Sequence, residues 1–139
     1  KINIFINEIC ISNNSKKHTI TYAHDKEIQT SGRPIQIKRA IQNIIENSKR
    51  YASKIHVSIN SNDEELFISI EDNGSGIPAI NYEDVFKPFF TLDPSRNKLK
   101  GESGLGMTIA RDIIRSHGGE IKLFKSKMNG LKTIISLPL

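Results

Sequence analysis

Residues 34–72 read PIQIKRAIQNIIENSKRYASKIHVSINSNDEELFISIED and are the most informative part of the chain for its architecture. The stretch begins with Pro34, a residue favoured in the first turn of a helix, and apolar residues then recur at helical spacing to about Ala52. Two runs rich in β-formers follow, 55–60 and 66–71, and the turn-forming residues 61–64 separate them. The stretch therefore predicts a helix followed by a β-hairpin.

The flanking segments add strands and a second long helix. Residues 105–118 place apolar side chains on one broad helical arc and end in glycine, which predicts a helix, and 120–125 and 131–137 are typical of strands. Residues 18–30 predict one or two short strands, whereas the apolar run 2–11 is too short for periodicity to distinguish helix from strand. Strands mixed with two long helices favour an α/β sandwich with helices on one face of the sheet.

Length and composition limit the class of protein. The 139 residues suit one compact domain, and 37% apolar with 25% charged residues exclude a disordered or membrane-spanning polypeptide. The single cysteine, Cys10, excludes an internal disulfide and a cysteine metal cluster. A net charge of +5 favours an anionic partner, whether nucleic acid, nucleotide or acidic membrane. Because the chain begins at Lys1 without a signal-peptide pattern, we expect it to be a piece of a longer protein.

A polar stripe lies along the first long helix. Asn43, Asn47 and Arg50 fall at helical spacing, opposite the isoleucines. Asparagine is a poor helix former, so two on one stripe indicate amide ligands for hydrated Mg2+, with the arginine contacting a phosphate. The alternative is a solvated helix face in an asparagine-rich sequence, and the stripe alone does not decide between them.

The residues after the hairpin form a glycine-rich loop, 72–78, with the sequence DNGSGIP. The Asp72 carboxylate can accept a hydrogen bond from an exocyclic amine such as that of adenine, and Gly74 and Gly76 permit positive φ and the approach of a flat ligand. One alternative is a plain turn. Another is a dinucleotide fingerprint ending at Ala79, which requires a helix to begin at once.

A second glycine-rich segment, 101–106, leads directly into the last helix. Its small residues expose backbone N–H groups, and the helix N-terminus adds partial positive charge, so the segment predicts an anion cradle.

Between the glycine segments, we expect Phe86, Phe89 and Phe90 to pack in the core. Residues 87–100 hold four basic residues and one acidic residue, which favours closure over a triphosphate. More than half of the net positive charge lies there.

Taken together, these segments resemble the catalytic ATP-binding domain of sensor histidine kinases, in the GHKL superfamily that includes gyrase, Hsp90 and MutL. Residues 43–51 are similar to the N box, 72–78 to the G1 box, 86–90 to the F box and 101–106 to the G2 box. The resemblance covers about residues 18–139 and is closest to osmosensor-type two-component kinases. It implies the Bergerat ATP-binding fold, a mixed, mostly antiparallel sheet of about five strands with three helices packed on one face.

The resemblance implies a set of binding residues. Asn47 would coordinate Mg2+ with Asn43 beside it, Asp72 would bind the adenine amine, and residues 87–103 would form a lid over ATP. No residue is assigned as a catalytic acid or base. The residues expected to bind ATP are Asn43, Asn47, Arg50, Tyr51, Asp72, Gly74, Gly76, Ile77, Phe86, Lys100, Gly101, Gly104, Leu105, Gly106 and Met107.

The resemblance also implies a reaction and partners. With ATP (or ADP) and Mg2+ as cofactors, the γ-phosphoryl group would pass to a histidine on a helical dimerisation domain of the same protein. It would then be relayed to the receiver domain of a response regulator, with no nucleic acid involved. Residues 1–17 would be a linker or the end of that dimerisation region. The whole protein would be a membrane-anchored homodimer with this domain on the cytoplasmic side of the inner membrane. The phosphoacceptor motif does not occur in the chain, so we expect nucleotide binding without self-phosphorylation.

One position separates the kinases of this superfamily from its ATPases. The ATPases have a glutamate four residues before the Mg2+ asparagine, and this chain has Asn43, which cannot abstract a proton. Phosphotransfer is therefore favoured over a hydrolysing GHKL-type ATPase, and a basic nucleic-acid-binding module is supported by net charge alone. In the last strand, where many members have Ser or Thr near adenine, the expected register offers Lys132 and leaves Thr133 one residue off.

Overall fold

The computed structural model describes residues 2–15, 18–24, 32–90 and 104–139. Its α-helices and strands follow one another along the chain as α1 (Ile2–Asn13), β1 (Thr19–His24), α2 (Pro34–Lys49), β2 (Lys54–Ser61), β3 (Glu65–Asp72), α3 (Gly106–Ser116), β4 (Glu120–Lys125) and β5 (Leu131–Pro138). Two 3-10 turns, Ala79–Asn81 and Asp84–Phe86, lie between β3 and α3. The predicted long helices, hairpin and closing strands are confirmed. The ambiguous apolar run at the start of the chain is helical.

The five strands form one mixed sheet in the order β1-β2-β3-β5-β4. Only the β1–β2 pair is parallel, and the other three pairs are antiparallel. The register aligns apolar residues in rows across the sheet: Val57 lies opposite Ile70, and Ile68 opposite Ile135. Because side chains alternate between faces, this register puts one apolar face inward and leaves the other face largely polar.

The helices cover the apolar face and share one core with it. Helix α2 contributes three fully buried side chains, Ile41, Ile44 and Ile45. Helix α3 contributes two, Ala110 and Ile114. This burial of aliphatic surface is the main stabilising contribution to the fold. The α/β sandwich with helices on one face is therefore as predicted. Among the described residues, no helix combines the length and the hydropathy that a membrane-spanning segment needs.

Helix α1 belongs to the same core. Ile6, Ile9 and Cys10 are buried in it, and burial raises the pKa of the Cys10 thiol to about 11. At the end of α1, Asn13 exchanges hydrogen bonds of 2.9 and 2.7 Å with Gln42 of α2. The first helix is thus attached to the second by apolar packing and a reciprocal amide pair. The division of the chain at residue 18 into two functional regions stays a prediction.

Candidate functional site

The buried carboxylate of Asp72 lies at the end of β3. Alternation along the strand puts Leu66, Ile68, Ile70 and Asp72 on the inner face, so this acidic residue is only 4% exposed. Its Oδ1 accepts hydrogen bonds from the backbone N–H groups of Gly74 (3.0 Å) and Leu131 (3.1 Å). Among the described residues, no donor is bonded to Oδ2. A buried polar atom ordinarily has a partner, so the free oxygen is suited to an amine of a ligand.

The loop after Asp72 packs closely because it contains glycine. A Cβ on Gly74 would lie 2.8 Å from the carbonyl oxygen of Tyr51, and Gly76 has a φ of +73°. Asn73 turns outward, and its Oδ1 accepts hydrogen bonds of 3.0 Å from the N–H groups of Ser53 and Lys54. The structure thus brings together Tyr51 and the two predicted glycines beside Asp72. No helix begins at Gly76, since a 3-10 turn starts only at Ala79, so the dinucleotide fingerprint is wrong.

The polar stripe of α2 faces the start of α3. Asn43 donates from Nδ2 to the carbonyl oxygen of Gly106 at 3.2 Å. Asn47 and Arg50, one and two turns further on, are half-buried. Within the described part of the chain, Asn47 has no hydrogen-bond partner for its side chain, whereas Arg50 does make contacts. The stripe is therefore not simply a solvated face, because packing of α2 on α3 partly encloses it.

The glycine segment before α3 is fixed at Gly104. This residue has a φ of +73°, and a Cβ there would lie 2.7 Å from Cα of Phe89. The N–H of Phe89 donates to the carbonyl oxygen of Gly104 at 2.7 Å. Leu105 and Gly106 follow at the start of α3, half-buried. Lys100 and Gly101, like most of the predicted lid, lie outside the described residues.

The predicted aromatic packing is correct in part. Phe86 is buried, with its ring beneath the Arg111 guanidinium at 4.2 Å, but Phe89 is 70% exposed, so the prediction for Phe89 is wrong. Its positive φ of 63°, beside Gly104, holds it at the surface. Among the remaining predicted binding residues, Met107 is buried in the core and Ile77 packs against it.

In the last strand, the expected register is wrong by one residue. Lys132 lies opposite Glu71 on the open face of the sheet, where its Nζ is 3.2 Å from Glu71 Oε1. Thr133 lies opposite Ile70 on the inner face, 1% exposed, and so shares a face with Asp72. A shift of one residue exchanges the two faces of a strand, which explains the error. Thr133 is therefore the Ser/Thr residue that many members of the resembled family have in the last strand, on the same face of the sheet as Asp72.

Two backbone donors of the site were not predicted. Besides the bond from Leu131, the N–H of Gly130 donates to the Asp72 carbonyl oxygen at 3.1 Å. A side chain on Gly130 would collide with Oδ1 of Asp72. The Asn129-Gly130 pair is a recognisable turn signal in the sequence. The contact of this turn and of Leu131 with Asp72, which lies 59 positions before Leu131, depends on the pairing of β3 with β5, which the sequence pattern alone does not specify.

Comparison with known proteins agrees with this geometry. The family model described as histidine kinase-, DNA gyrase B-, and HSP90-like ATPase matches residues 32–139. The chain belongs to this family. Sequence similarity within it extends to sensor histidine kinases: the chain is 34% identical over 108 residues to GtrS of Pseudomonas aeruginosa, covering 77% of this chain and 22% of that protein. It is likewise 34% identical over 109 residues to CpxA of Escherichia coli, covering 78% and 24%.

A solved structure gives the same result for the fold. The catalytic domain of histidine kinase ThkA, in a nucleotide-free form, has a TM-score of 0.84 and 25% identity, covering 99% of this chain and 93% of that one. The predicted likeness to the ATP-binding domain of sensor histidine kinases is therefore confirmed. The chain spans about a quarter of the length of the curated relatives named above. The narrower assignment to osmosensor-type kinases stays a prediction.

This family member also has a cluster of charges on α3, away from Asp72. Arg111 forms ion pairs with Glu83 (2.8 Å) and Glu120 (3.3 Å), and Arg115 pairs with Glu120 at 3.1 Å. Hydrogen bonds from Arg111 lower the pKa of Glu83. Burial raises the pKa of Glu120, but hydrogen bonds from Arg115, the Ile121 N–H and Arg111 outweigh it, so that pKa is also lowered.

A cleft of about 310 Å³ adjoins this cluster. It is lined by Tyr82, Glu83, Phe86, Arg111, Glu120, Ile121, Lys122, Leu123 and Phe124. Asp72 and the asparagines of α2 are not among these residues. Because the carboxylates of the cluster are already paired, they leave little free capacity for a ligand. The cluster stabilises the packing of α3 on β4 and the 3-10 turns.

Proposed function

We propose that this chain is the ATP-binding catalytic domain of a two-component sensor histidine kinase. The observation that carries the proposal is the buried Asp72 carboxylate, with Oδ1 fixed by two backbone N–H groups and Oδ2 without a donor among the described residues. Oδ2 would accept a hydrogen bond from the 6-amino group of adenine. Because a site of this kind loses much of its binding energy when the amine is absent, it selects ATP over purines that carry an oxygen there.

The phosphates would lie between α2 and the start of α3. The partial positive charge of the α3 N-terminus favours anions, and the backbone at Gly104, Leu105 and Gly106 leads into that terminus. Arg50, directly after the last residue of α2, would supply a full positive charge on the other side. Lys100 and Gly101, which lie outside the described residues, would complete this set.

Asn47 is suited to hold Mg2+ together with the phosphates. Asn47 is half-buried, its side chain has no hydrogen-bond partner within the described residues, and amide oxygens are acceptable ligands for this hard cation. Within the same residues there is no cluster of three or more histidine, cysteine or acidic side chains for a metal. That fits an ion bound through few protein ligands, with phosphates and water providing the rest. When bound, Mg2+ neutralises negative charge on the phosphate oxygens.

Asn43 favours transfer of the γ-phosphoryl group over its hydrolysis. It stands where the ATPases of the family have a glutamate, its amide cannot take a proton from water, and its Nδ2 is bonded to Gly106. The nearby Glu46 is exposed and accepts a hydrogen bond from Gln42 at 2.9 Å, so it is engaged elsewhere. A hydrolysing ATPase is therefore the second candidate, and strong ATP turnover by this domain would favour it.

The whole protein would complete the reaction. A helical dimerisation domain would supply the acceptor histidine, and a response regulator would receive the phosphoryl group. We expect a membrane-anchored homodimer with this domain on the cytoplasmic side.

Calorimetric titration with a non-hydrolysable ATP analogue tests the proposal. Binding is expected, and it should strengthen with Mg2+ in the natural sequence but not in Asn47→Ala. Asn60→Ala, an exposed asparagine on β2, is the control and should retain the Mg2+ effect. In the full-length protein, ATP labelled on its γ-phosphate should yield acid-labile phosphohistidine. Failure of the domain to bind the analogue would overturn the proposal.

A further inference from the structure

Two adjacent acidic residues point to opposite faces of β3. Asp72 faces the core, whereas Glu71 lies on the open face and has both carboxylate oxygens engaged. Its Oε2 accepts a hydrogen bond from Ser126 Oγ at 3.0 Å, and its Oε1 lies 3.2 Å from Lys132 Nζ. Ser126 and Lys132 stand on either side of the β4–β5 turn, so one carboxylate holds both ends of that turn.

The turn is closed by its own hydrogen bonds. Ser126 is 4% exposed, and its Oγ accepts from the N–H of Met128 at 3.0 Å while donating to Glu71. Its N–H donates to the carbonyl oxygen of Gly130 at 2.9 Å. A buried serine hydroxyl with both a donor and an acceptor partner is fixed in orientation. Glu71 is therefore one of the partners that fix this turn in place, because it is the acceptor for the Ser126 hydroxyl.

The other side of this turn contacts Asp72. Gly130 and Leu131 donate their N–H groups to the Asp72 carbonyl oxygen and Oδ1, each at 3.1 Å. Glu71 is thus linked to Asp72 from the opposite face of the sheet, through the hydrogen bonds of the β4–β5 turn. If the turn moves, Oδ1 loses the donor from Leu131 and keeps only the one from Gly74, so the carboxylate and its Oδ2 are held less firmly in direction.

We propose that Glu71, through Ser126 and Lys132, is a positioning residue that sets the adenine selectivity of Asp72. The inference rests on the proposed function, because it assumes that Asp72 binds the 6-amino group. It predicts that Glu71 affects recognition of the base without touching it. Phosphate binding on α2 and α3 should be unaffected.

The test compares ATP with inosine triphosphate, which carries an oxygen in place of the 6-amino group. Affinities of both are measured by calorimetry for the natural sequence, Glu71→Ala, Glu71→Gln and Ser126→Ala, with thermal melting to verify folding. Glu71→Ala should lower the ratio of ATP to inosine triphosphate affinity by about tenfold, with little change for inosine triphosphate. Glu71→Gln keeps an oxygen for Ser126 and should recover part of the selectivity. If Glu71→Ala does not fold, Ser126→Ala decides, and it should lower the ratio in the same direction.

Glu65→Ala is the matched control, since Glu65 is on the same face of the same strand at its far end. It should leave the ratio unchanged. Coupling is measured with the double variant Glu71→Ala/Ser126→Ala, which should lose no more selectivity than the stronger single change. Equal losses for the two nucleotides, or an unchanged ratio, would overturn the inference. Failure of the proposed function would look different, because the natural sequence itself would then not prefer ATP.

Discussion

Two charged regions of this molecule differ in how their charges are satisfied. Asp72 is buried and is held by neutral backbone N–H groups, with one oxygen free of donors within the described residues. The cluster around Arg111 has four charged side chains, two from α3, one from β4 and Glu83 before the second 3-10 turn, and they pair with one another. The number of charges is therefore a poor guide to a binding site. Unused hydrogen-bonding capacity in a buried place is a better one.

Substitution of Asp72 should weaken ATP binding far more than substitution of Arg111. Asp72→Ala should weaken ATP binding by at least about 100-fold, because the adenine amine loses its charged acceptor. Arg111→Met removes a charge from the other region and should change ATP affinity by less than about twofold. Calorimetry with both variants measures the contrast. Similar losses in the two variants would contradict the distinction between the regions.

The next effect concerns the support of Asp72. Gly130→Ala places a Cβ where Oδ1 of Asp72 lies, so the turn must shift, and we expect a loss of about 2–3 kcal/mol in the free energy of unfolding. Gly106→Ala is the control, because its Cβ would lie 3.8 Å from the Asn43 side chain, an ordinary contact. Urea denaturation compares the two. A Gly130→Ala protein as stable as the natural one would show that the turn is not constrained by Asp72.

A smaller effect on stability is expected at Asn73, whose side chain also accepts hydrogen bonds from backbone N–H groups but lies at the surface. Its Oδ1 accepts two backbone hydrogen bonds, so Asn73→Ala should cost about 1 kcal/mol of stability. Asn60→Ala, an exposed asparagine on β2, provides the comparison and should be near neutral. Chemical denaturation at neutral pH measures both. Equal stability of the two variants would argue that the backbone donors are equally well satisfied by water.

The smallest effect is expected from the surface ions, and it should depend on pH. Arg111→Met should cost less than about 1 kcal/mol at neutral pH, since Glu83, its partner at 2.8 Å, is 78% exposed and solvent screens the pair. The pKa values of Glu83 and Glu120 are both lowered from 4.5 in the folded protein, so their contribution is present above that pH. It is lost as the pH falls through the lowered values. The stability difference between Arg111→Met and the natural sequence should therefore shrink in acid, and a difference that grows would refute the assignment.

The sequence predicted those elements in which local pattern and packing agree. The apolar spacing around Ile41 and Ile44 led correctly to α2, and the turn at 61–64 led to the hairpin. The apolar run at 2–11 did not distinguish helix from strand, because it is too short for periodicity, and the structure shows it to be part of helix α1. Its amide pair with Gln42 is tertiary information that no local pattern contains.

The sequence predicted which residues form the site, but not all of the groups that form hydrogen bonds with them. Asp72 and its glycines stand together in the sequence, and their spacing carries a recognisable pattern. Gly130 and Leu131 reach Asp72 only through the pairing of β3 with β5, which is set by the whole sheet. The sequence pattern likewise did not specify whether Lys132 or Thr133 faces the site, because a shift of one residue in the β3–β5 register exchanges them.

The hydrogen bond between Phe89 and Gly104 has a consequence for substitutions at the entrance to α3. It holds the backbone of Phe89 against the residue two positions before that helix. A Cβ on Gly104 would lie 2.7 Å from Cα of Phe89, so any side chain at this position must displace the Phe89 backbone.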